Sequence, residues 1–275
     1  MAGTLYVVAT PLGNLGDLSP RAADTLKRVA VVAAEDTRHS KPLLVYAGSR
    51  AELVSFHEHS SERALERILR ILADGRDVAL ITDAGTPAIS DPGVALVAGA
   101  RERGIPVVTI PGPNAVAASL AVSGISGDRY LFLGFLPRKG TDRRRFLLTA
   151  ARSEWTVVLF EAPNRVAQLL ADLSDACGSE REAAVSRELT KVFEETRAGT
   201  LGELAEHYAD APVRGEVTVV VSGTGKEHHE EPPPDPGERA RALLAEGLSR
   251  KDVADRLAEE TGISRNAAYR LVNEL

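Results

Sequence analysis

Cysteine is almost missing from this sequence: Cys177 is the one such residue in 275. A lone thiol excludes an internal disulfide framework and suits a reducing compartment. Aromatic residues are scarce at 4%, but the total hydrophobic content of 44% is ordinary for a soluble globular protein and allows a sizeable core. There is no excess of positive charge. Lys and Arg number 33 against 39 Asp and Glu, a net charge of −6, so binding to nucleic acid has to come from a local basic patch. Long apolar runs are lacking too. The opening residues MAGTLYVVAT carry no basic stretch before a short apolar run, which excludes a signal peptide or membrane span there. The chain reads as soluble and cytoplasmic, without a membrane partner.

Two further absences concern VVATPLGNLGDLSP, residues 7–20. A short apolar strand enters a Gly/Pro loop and reaches Ser19-Pro20, a helix start. That order often holds a phosphate. Here Gly13 and Gly16 are followed by Asp17, so the lysine of a G-x-x-x-x-G-K-[ST] loop is missing. The third glycine of G-x-G-x-x-G is missing as well, although Glu35 and Asp36 lie about 20 residues on, where an acidic residue would meet a ribose. Pro11 removes a backbone donor, and the glycines permit close approach. The loop is therefore read as a seat for a flat or apolar group, with a plain chain turn as the alternative.

Short β-branched runs alternate with amphipathic segments. TLYVVAT (4–10), VAVVAAED (29–36), DVALITDAG (77–85) and IPVVTIPG (105–112) are separated by helical patterns near 20–28, 60–73, 91–103 and 113–123. Runs apolar on both faces imply a mostly parallel sheet covered by helices. A second set, RYLFLGF (129–135), WTVVLFEA (155–162), REAAVSREL (181–189), KVFEETRAG (191–199) and GEVTVVVSG (215–223), includes a close pair that reads as a hairpin, so this sheet is expected to be mixed. The fold class is α/β, with two α/β domains at 1–112 and 113–224. A Pro-rich linker follows at 225–238, then a helical, helix-turn-helix-like module at 239–275. In the tail, Ser249 with Asp252 forms a capping box, Gly262 sits where a helix-ending glycine belongs, and Ser264 can cap a last helix. Balanced charge there leaves a docking module as an equal alternative to a nucleic-acid reader.

TDAGTPAISDPG and IPGPNAVAAS, like the first loop, leave the carboxyl ends of strands, where open α/β sheets place ligands. Three such loops along one rim are more specific than any one of them. The segment LPRKGTDRRR (136–145) gathers Arg138, Lys139, Arg143, Arg144 and Arg145 and is the best phosphate-binding candidate, with a salt-bridged helix start as the alternative. Arg38 adds a further cation to the RNA-facing set. His57 and His59 form an H-x-H pair without a third ligand nearby, so no metal is expected; His228 and His229 lie in the linker.

Taken together, ATPLGNLGDLSPRA, AAEDTRHS, TDAGTPAISDPG, PGPNAV, FLGFLPRKG, FEAPNRV, RELTKVFEE and GEVTVVV resemble the bacterial ribosomal RNA small subunit methyltransferase I group of the tetrapyrrole methylase superfamily. The tail resembles that group's small C-terminal extension. The resemblance implies two domains with S-adenosylmethionine bound, bent, in the cleft between them, a homodimer, and methyl transfer to the ribose 2′-oxygen of a cytidine in 16S rRNA, in the decoding region of the 30S subunit. The superfamily's GDP loop falls on Gly85-Thr86-Pro87. Thr stands for Asp, so a carboxylate contact there has to come from Asp83. Carried over by position, the cofactor contacts are Pro11, Leu12, Gly13, Asp83, Gly85, Thr86, Pro87, Ile89, Asn114, Ala115 and Phe160. A hydroxyl is a poor nucleophile, so a base or cation beside it helps. The candidates are Asp36, Glu161, Glu188 and Lys191, each with a structural salt bridge as its alternative. A small-molecule methyltransferase of tetrapyrrole precursors and a non-enzymatic nucleic-acid regulator are the competing readings.

Overall fold

Why these segments become strands is visible in their packing. The computed structural model describes residues 2–57, 60–210, 213–225, 235–261 and 265–275. Five strands, β1 (Leu5–Val8), β2 (Val31–Ala34), β3 (Glu52–Ser55), β4 (Val78–Ile81) and β5 (Val107–Ile110), form one parallel sheet in the order β3-β2-β4-β1-β5. Alternate side chains of β2 point to opposite faces. Val32 and Ala34 join Leu26, Leu43 and Leu44 of α1 (Pro20–Arg28) and α2 (Thr37–Ala47). Val31 and Ala33 join Ile68, Leu72 and Leu96 of α3 (Glu62–Ala73) and α4 (Val94–Glu102). Ser19 caps α1 by accepting from the Ala22 amide at 3.1 Å, with Pro20 at the first helical position.

After α5 (Ala115–Ser123) comes a second sheet of β6 (Tyr130–Phe135), β7 (Thr156–Glu161), β8 (Glu182–Arg187), β9 (Glu195–Thr200) and β10 (Val217–Val221), in the order β6-β7-β10-β8-β9. β6 and β7 are parallel and the other pairings antiparallel, so the sheet is mixed, and β8–β9 is the hairpin. α6 (Thr141–Arg152), α7 (Val166–Cys177) and α8 (Leu201–Ala209) cover one face through Ala150, Leu169, Leu173 and Leu204, while Val116 of α5 packs on Val158 and Val220 of the other.

Three details differ from the sequence reading. α2 falls outside the helical patterns expected near 20–28, 60–73, 91–103 and 113–123. β3 has no counterpart among the expected strands, because this edge strand is only half-buried and its apolar signal is short. The run expected to be strand over 191–199 pairs only from Glu195, and residues 191–194 form the turn.

Both sheets lie in one compact body, residues 1–224, and residues 225–275 form another. Within the second, α9 (Pro236–Ala245), α10 (Arg250–Thr261) and α11 (Arg265–Glu274) share a small core of Ala240, Leu243, Val253, Leu257, Ala268 and Val272. Ser249 accepts from the Asp252 amide at 3.3 Å and donates to its carboxylate at 2.6 Å. Gly262, Ser264, His228 and His229 lie outside the described residues, as does most of the expected linker. Among the described residues no helix is long and apolar enough to cross a membrane.

Candidate active site

β4, β1 and β5 are neighbours in the parallel sheet, so their three carboxyl-end loops share one rim. The loops are cross-braced. Thr10 and Gly85 exchange backbone hydrogen bonds of 2.8 and 3.1 Å, and the Thr10 hydroxyl donates to the Thr82 carbonyl at 3.1 Å. Thr86 donates to the Pro113 carbonyl at 3.2 Å. Asn114 caps α5 by accepting from the amides of Val116 and Ala117. The β4 loop is strained: besides Gly85 and Gly93, Ala88 (φ 70°) and Ser90 (φ 61°) sit in the left-handed region. Such residues cost about 1–3 kcal/mol each and persist where surrounding contacts impose them. One contact comes from the second sheet. A Cβ on Gly134 would lie 3.0 Å from the Ser90 hydroxyl oxygen, and β6 shifts register beside that glycine, which has φ 61°.

Between this rim and the second sheet lies a cavity of about 390 Å³, within the range of about 300–1,000 Å³ usual for small-molecule sites. Leu12, Asp83, Gly85, Thr86, Ile89, Asn114, Ala115 and Phe160 of the expected cofactor set line it, and so does Glu161. Pro11 and Pro87 are buried in the turns behind the wall. Gly13 is not on the wall, and what approaches it is protein: a Cβ there would lie 2.3 Å from the Lys191 stem. Glu35, Ser90, Asp91, Phe135, Ala162, Pro163 and the 215–218 segment also line the cavity and were not named as contacts. Phe135 was detectable, since it stands in FLGFLPRKG beside the basic segment. Its ring tilts against Phe160 with centroids 5.6 Å apart.

The walls suit a partly cationic, partly flat ligand. Phe135, Phe160, Ile89 and Val217 offer apolar faces; Glu35, Asp83, Asp91 and Glu161 bring carboxylates. Glu161 is held at 3.1 Å from Arg165, and its Oε1 accepts from the Ala162 amide at 2.8 Å. The oxygen that faces Arg165 is its buried Oε2. Asp83 is steadied by the Asp36 amide at 3.1 Å and by His39 at 3.3 Å, and Glu35 accepts from the Thr82 hydroxyl at 2.7 Å. Burial and the neighbouring carboxylates Glu35 and Asp83 push Asp91 up to about 6, against a hydrogen bond with Thr82.

The other proposed catalytic groups are used elsewhere. Asp36 caps α2 through the Arg38 amide and is gripped by the Arg38 guanidinium at 2.7 Å, which holds its carboxyl well below the usual range and makes it a poor base. Lys191 Nζ binds Glu216 at 2.6 Å and Glu188 at 3.0 Å. Burial works against its charge, but the two carboxylates prevail and raise its pKa, so it stays a cation. Glu188 is spent on Lys191 and on covering Gly215. Neither Asp36, Glu188 nor Lys191 lines the cavity.

The basic segment also divides. Arg138, Lys139, Arg144 and Arg145 are exposed on and before α6, and Arg145 pairs loosely with Asp142 at 3.3 Å. Arg143 is a correction. It is buried, donates to Asp172 at 2.6 and 2.8 Å and to the Pro137 carbonyl at 3.1 Å, and has no guanidinium nitrogen to spare for a phosphate. Every third or fourth side chain of a helix shares a face, and position 143 is the inward one. Arg38 is exposed but paired with Asp36. Of the H-x-H pair, His57 is described and His59 is not. Among the described residues, no cluster of His, Cys, Asp or Glu could hold a metal.

Residues 4–205 match the family model of Tetrapyrrole (Corrin/Porphyrin) Methylases. The chain is 45% identical to the ribosomal RNA small subunit methyltransferase I of Xylella fastidiosa (strain Temecula1), over 97% of this chain and 98% of that one. It is 45% identical to the protein of the same name from Pseudomonas aeruginosa, over 98% and 96%. Among solved structures, uroporphyrin-III C-methyl transferase from Thermus thermophilus, complexed with S-adenyl homocysteine, aligns with a TM-score of 0.58 at 20% identity, covering 82% of this chain and 97% of that one. Cobalt precorrin-4 methyltransferase aligns with a TM-score of 0.61 at 20% identity, over 80% and 94%. These likenesses extend the fold, and the family follows from the matches in sequence: the chain belongs to the ribosomal RNA small subunit methyltransferase I family of the tetrapyrrole methylases.

Proposed function

We propose that this protein is an S-adenosylmethionine-dependent methyltransferase acting on the RNA of the small ribosomal subunit, and that its target is the ribose 2′-hydroxyl of a cytidine in 16S rRNA. The observation that carries the reading is identity of 45% along nearly the whole chain to relatives named for that activity. The cavity fits the cofactor: apolar faces for an adenine, and carboxylates for a sulfonium and an ammonium. S-adenosylmethionine supplies an electrophilic methyl group when bound.

The residues of the chain divide the remaining work. The braced loops after β1, β4 and β5 fix the seat, so the reacting atoms are positioned without further ordering. Phe135 and Phe160 give one wall an aromatic face. Beyond Phe135 the chain turns outward to Arg138 and Lys139, with Arg144 and Arg145 on α6, so cations follow directly on the cavity wall in the sequence. Phosphate contacts of this type fix register on RNA and weaken with salt. A homodimer working on the 30S subunit in the cytoplasm belongs to the same reading.

The test is incubation of the purified protein with labelled S-adenosylmethionine and 30S subunits lacking the modification, followed by nuclease mapping. Label on a ribose 2′-oxygen of a cytidine supports the reading. Label on a base overturns the 2′-oxygen assignment, and label entering only a tetrapyrrole precursor overturns the substrate class. Light scattering at twice the monomer mass supports the dimer, and a monomer mass refutes it.

A further inference from the structure

A second cavity, of about 630 Å³, lies against the first and shares Glu35, Ser90 and Asp91 with it. Its remaining walls come from the connection after β3 (Phe56, His57, Ser60), from Glu62 at the start of α3 and from the β4–α4 loop, including Pro92. Hollows on α1 and behind β3 share no residue with the cofactor cavity. In-line transfer needs the acceptor oxygen on the far side of the methyl carbon from the sulfur, so the acceptor enters from a space continuous with the cofactor cavity. The partition between the two is the strained loop. Ala88 and Ser90 have positive φ, Gly93 has φ 138° with a Cβ position 2.7 Å from Leu80, and a Cβ on Gly134 would meet the Ser90 hydroxyl at 3.0 Å. These contacts fix where Asp91 stands.

We propose that the acceptor nucleoside occupies this second cavity and that Asp91, on the partition, takes the proton of the hydroxyl that is methylated. The assignment rests on the methyltransferase reading above and adds the acceptor's seat and the base. Phe56 and Pro92 give a nucleobase flat apolar surface, and His57, Ser60 and Glu62 offer polar groups to its edge. In the step itself the oxygen–methyl bond forms as the sulfur–methyl bond breaks, the sulfur keeps the bonding pair, and the hydroxyl proton passes to the Asp91 carboxylate. Asp91 suits the task better than its neighbours. Asp36 is held as a carboxylate by Arg38, Lys191 is a cation, and Glu161 has its Oε1 spent on a backbone amide and its charge on Arg165. The groups facing Asp91 are Glu35 just after β2, Thr82 and Asp83 just after β4, and, across the second cavity, His57 after β3 and Glu62 at the start of α3. A base titrating near 6 is mostly ionised at neutral pH while remaining basic enough to accept a proton.

The experiment compares wild type with Asp91→Asn and Asp91→Glu on 30S subunits, by single turnover across pH, with calorimetry of cofactor binding. Carboxyl-detected NMR of Asp91 in the free wild-type protein reads its titration apart from any activity. Expected are an acid limb near pH 6 in wild type, a loss of roughly 100-fold or more in rate for Asp91→Asn with cofactor affinity kept, and partial rescue in Asp91→Glu. An Asp91→Asn rate within about threefold of wild type overturns the proposal. So does an Asp91 carboxyl titrating in the ordinary range of about 4 in the free protein. Wild type that transfers no methyl to RNA, or methylates a base, brings down the underlying reading and this proposal with it. That case is told apart because the wild type itself reveals it.

Discussion

Replacing Arg143 separates a structural arginine from an RNA-binding one. Its guanidinium donates to Asp172 from two nitrogens at 2.6 and 2.8 Å and to the Pro137 carbonyl at 3.1 Å, and its side chain is 9% exposed. Removing one partner of a buried pair costs about 3–5 kcal/mol. Asp172 retains 23% exposure, so water relieves part of the penalty, and the lower end, about 3 kcal/mol, is expected for Arg143→Ala. At about 2–4 °C per kcal/mol for a body of this size, Tm falls by about 6–12 °C. Arg144→Ala, on the exposed side of α6, is expected to change stability by less than about 0.5 kcal/mol while weakening RNA binding and reducing its salt slope by about 1. Calorimetric melting read beside fluorescence anisotropy on an rRNA fragment at two salt concentrations checks both. Were Arg143→Ala to melt within about 2 °C of wild type and lose RNA affinity as Arg144→Ala does, the buried assignment would be refuted.

Gly134→Ala places a side chain at a left-handed position and 3.0 Å from Ser90. A loss of about 1–2 kcal/mol in stability is expected, together with weaker cofactor binding by calorimetry; unchanged affinity would show that the β6 bulge does not clamp the β4 loop. Asp91 has a native pKa, about 6, above its ordinary 3.8, so the native state holds the proton more tightly and stability falls as pH rises from 3.8 to 6. Asp91→Asn is therefore expected to melt higher than wild type at pH 7 and 8 and to converge with it below pH 4, which melting curves at several pH values test. Residues 1–224 form a compact body, so a chain ending there is expected to melt cooperatively and bind cofactor; an unfolded product would show that the tail completes the core.

How much was readable in advance depends on how local each cause is. Strands apolar on both faces, such as Val31–Ala34, announce themselves because every residue is buried. β3 does not, because half its residues face outward. The three-loop rim was legible from Gly/Pro punctuation at strand ends, and eight of the expected cofactor positions do line one cavity. What was not legible came from contacts between distant segments. Gly13 looked built for a ligand and instead makes room for Lys191, 178 positions away in the chain. Arg143 and Arg144 look alike in sequence, and only the phase of α6 against α7 separates them. Asp91 stands in the TDAGTPAISDPG motif, but its basicity is not written there: it comes first from burial, then from Glu35, which the β2–β4 pairing brings beside it, and from Asp83.

The strand order also sets a timetable for synthesis. β1 lies between β4 and β5 and pairs with no others. The first strand made therefore waits for both neighbours, until Ile110 has left the ribosome. At about 5–20 residues per second, the intervening stretch of roughly 100 residues takes about 5–20 s. For that interval Leu5–Val8 is an unsatisfied apolar edge, while the β2–β3 pair can already close. The second sheet begins at Tyr130, after that gap has been filled, so the nascent chain is most exposed to misassembly before its cofactor seat exists at all.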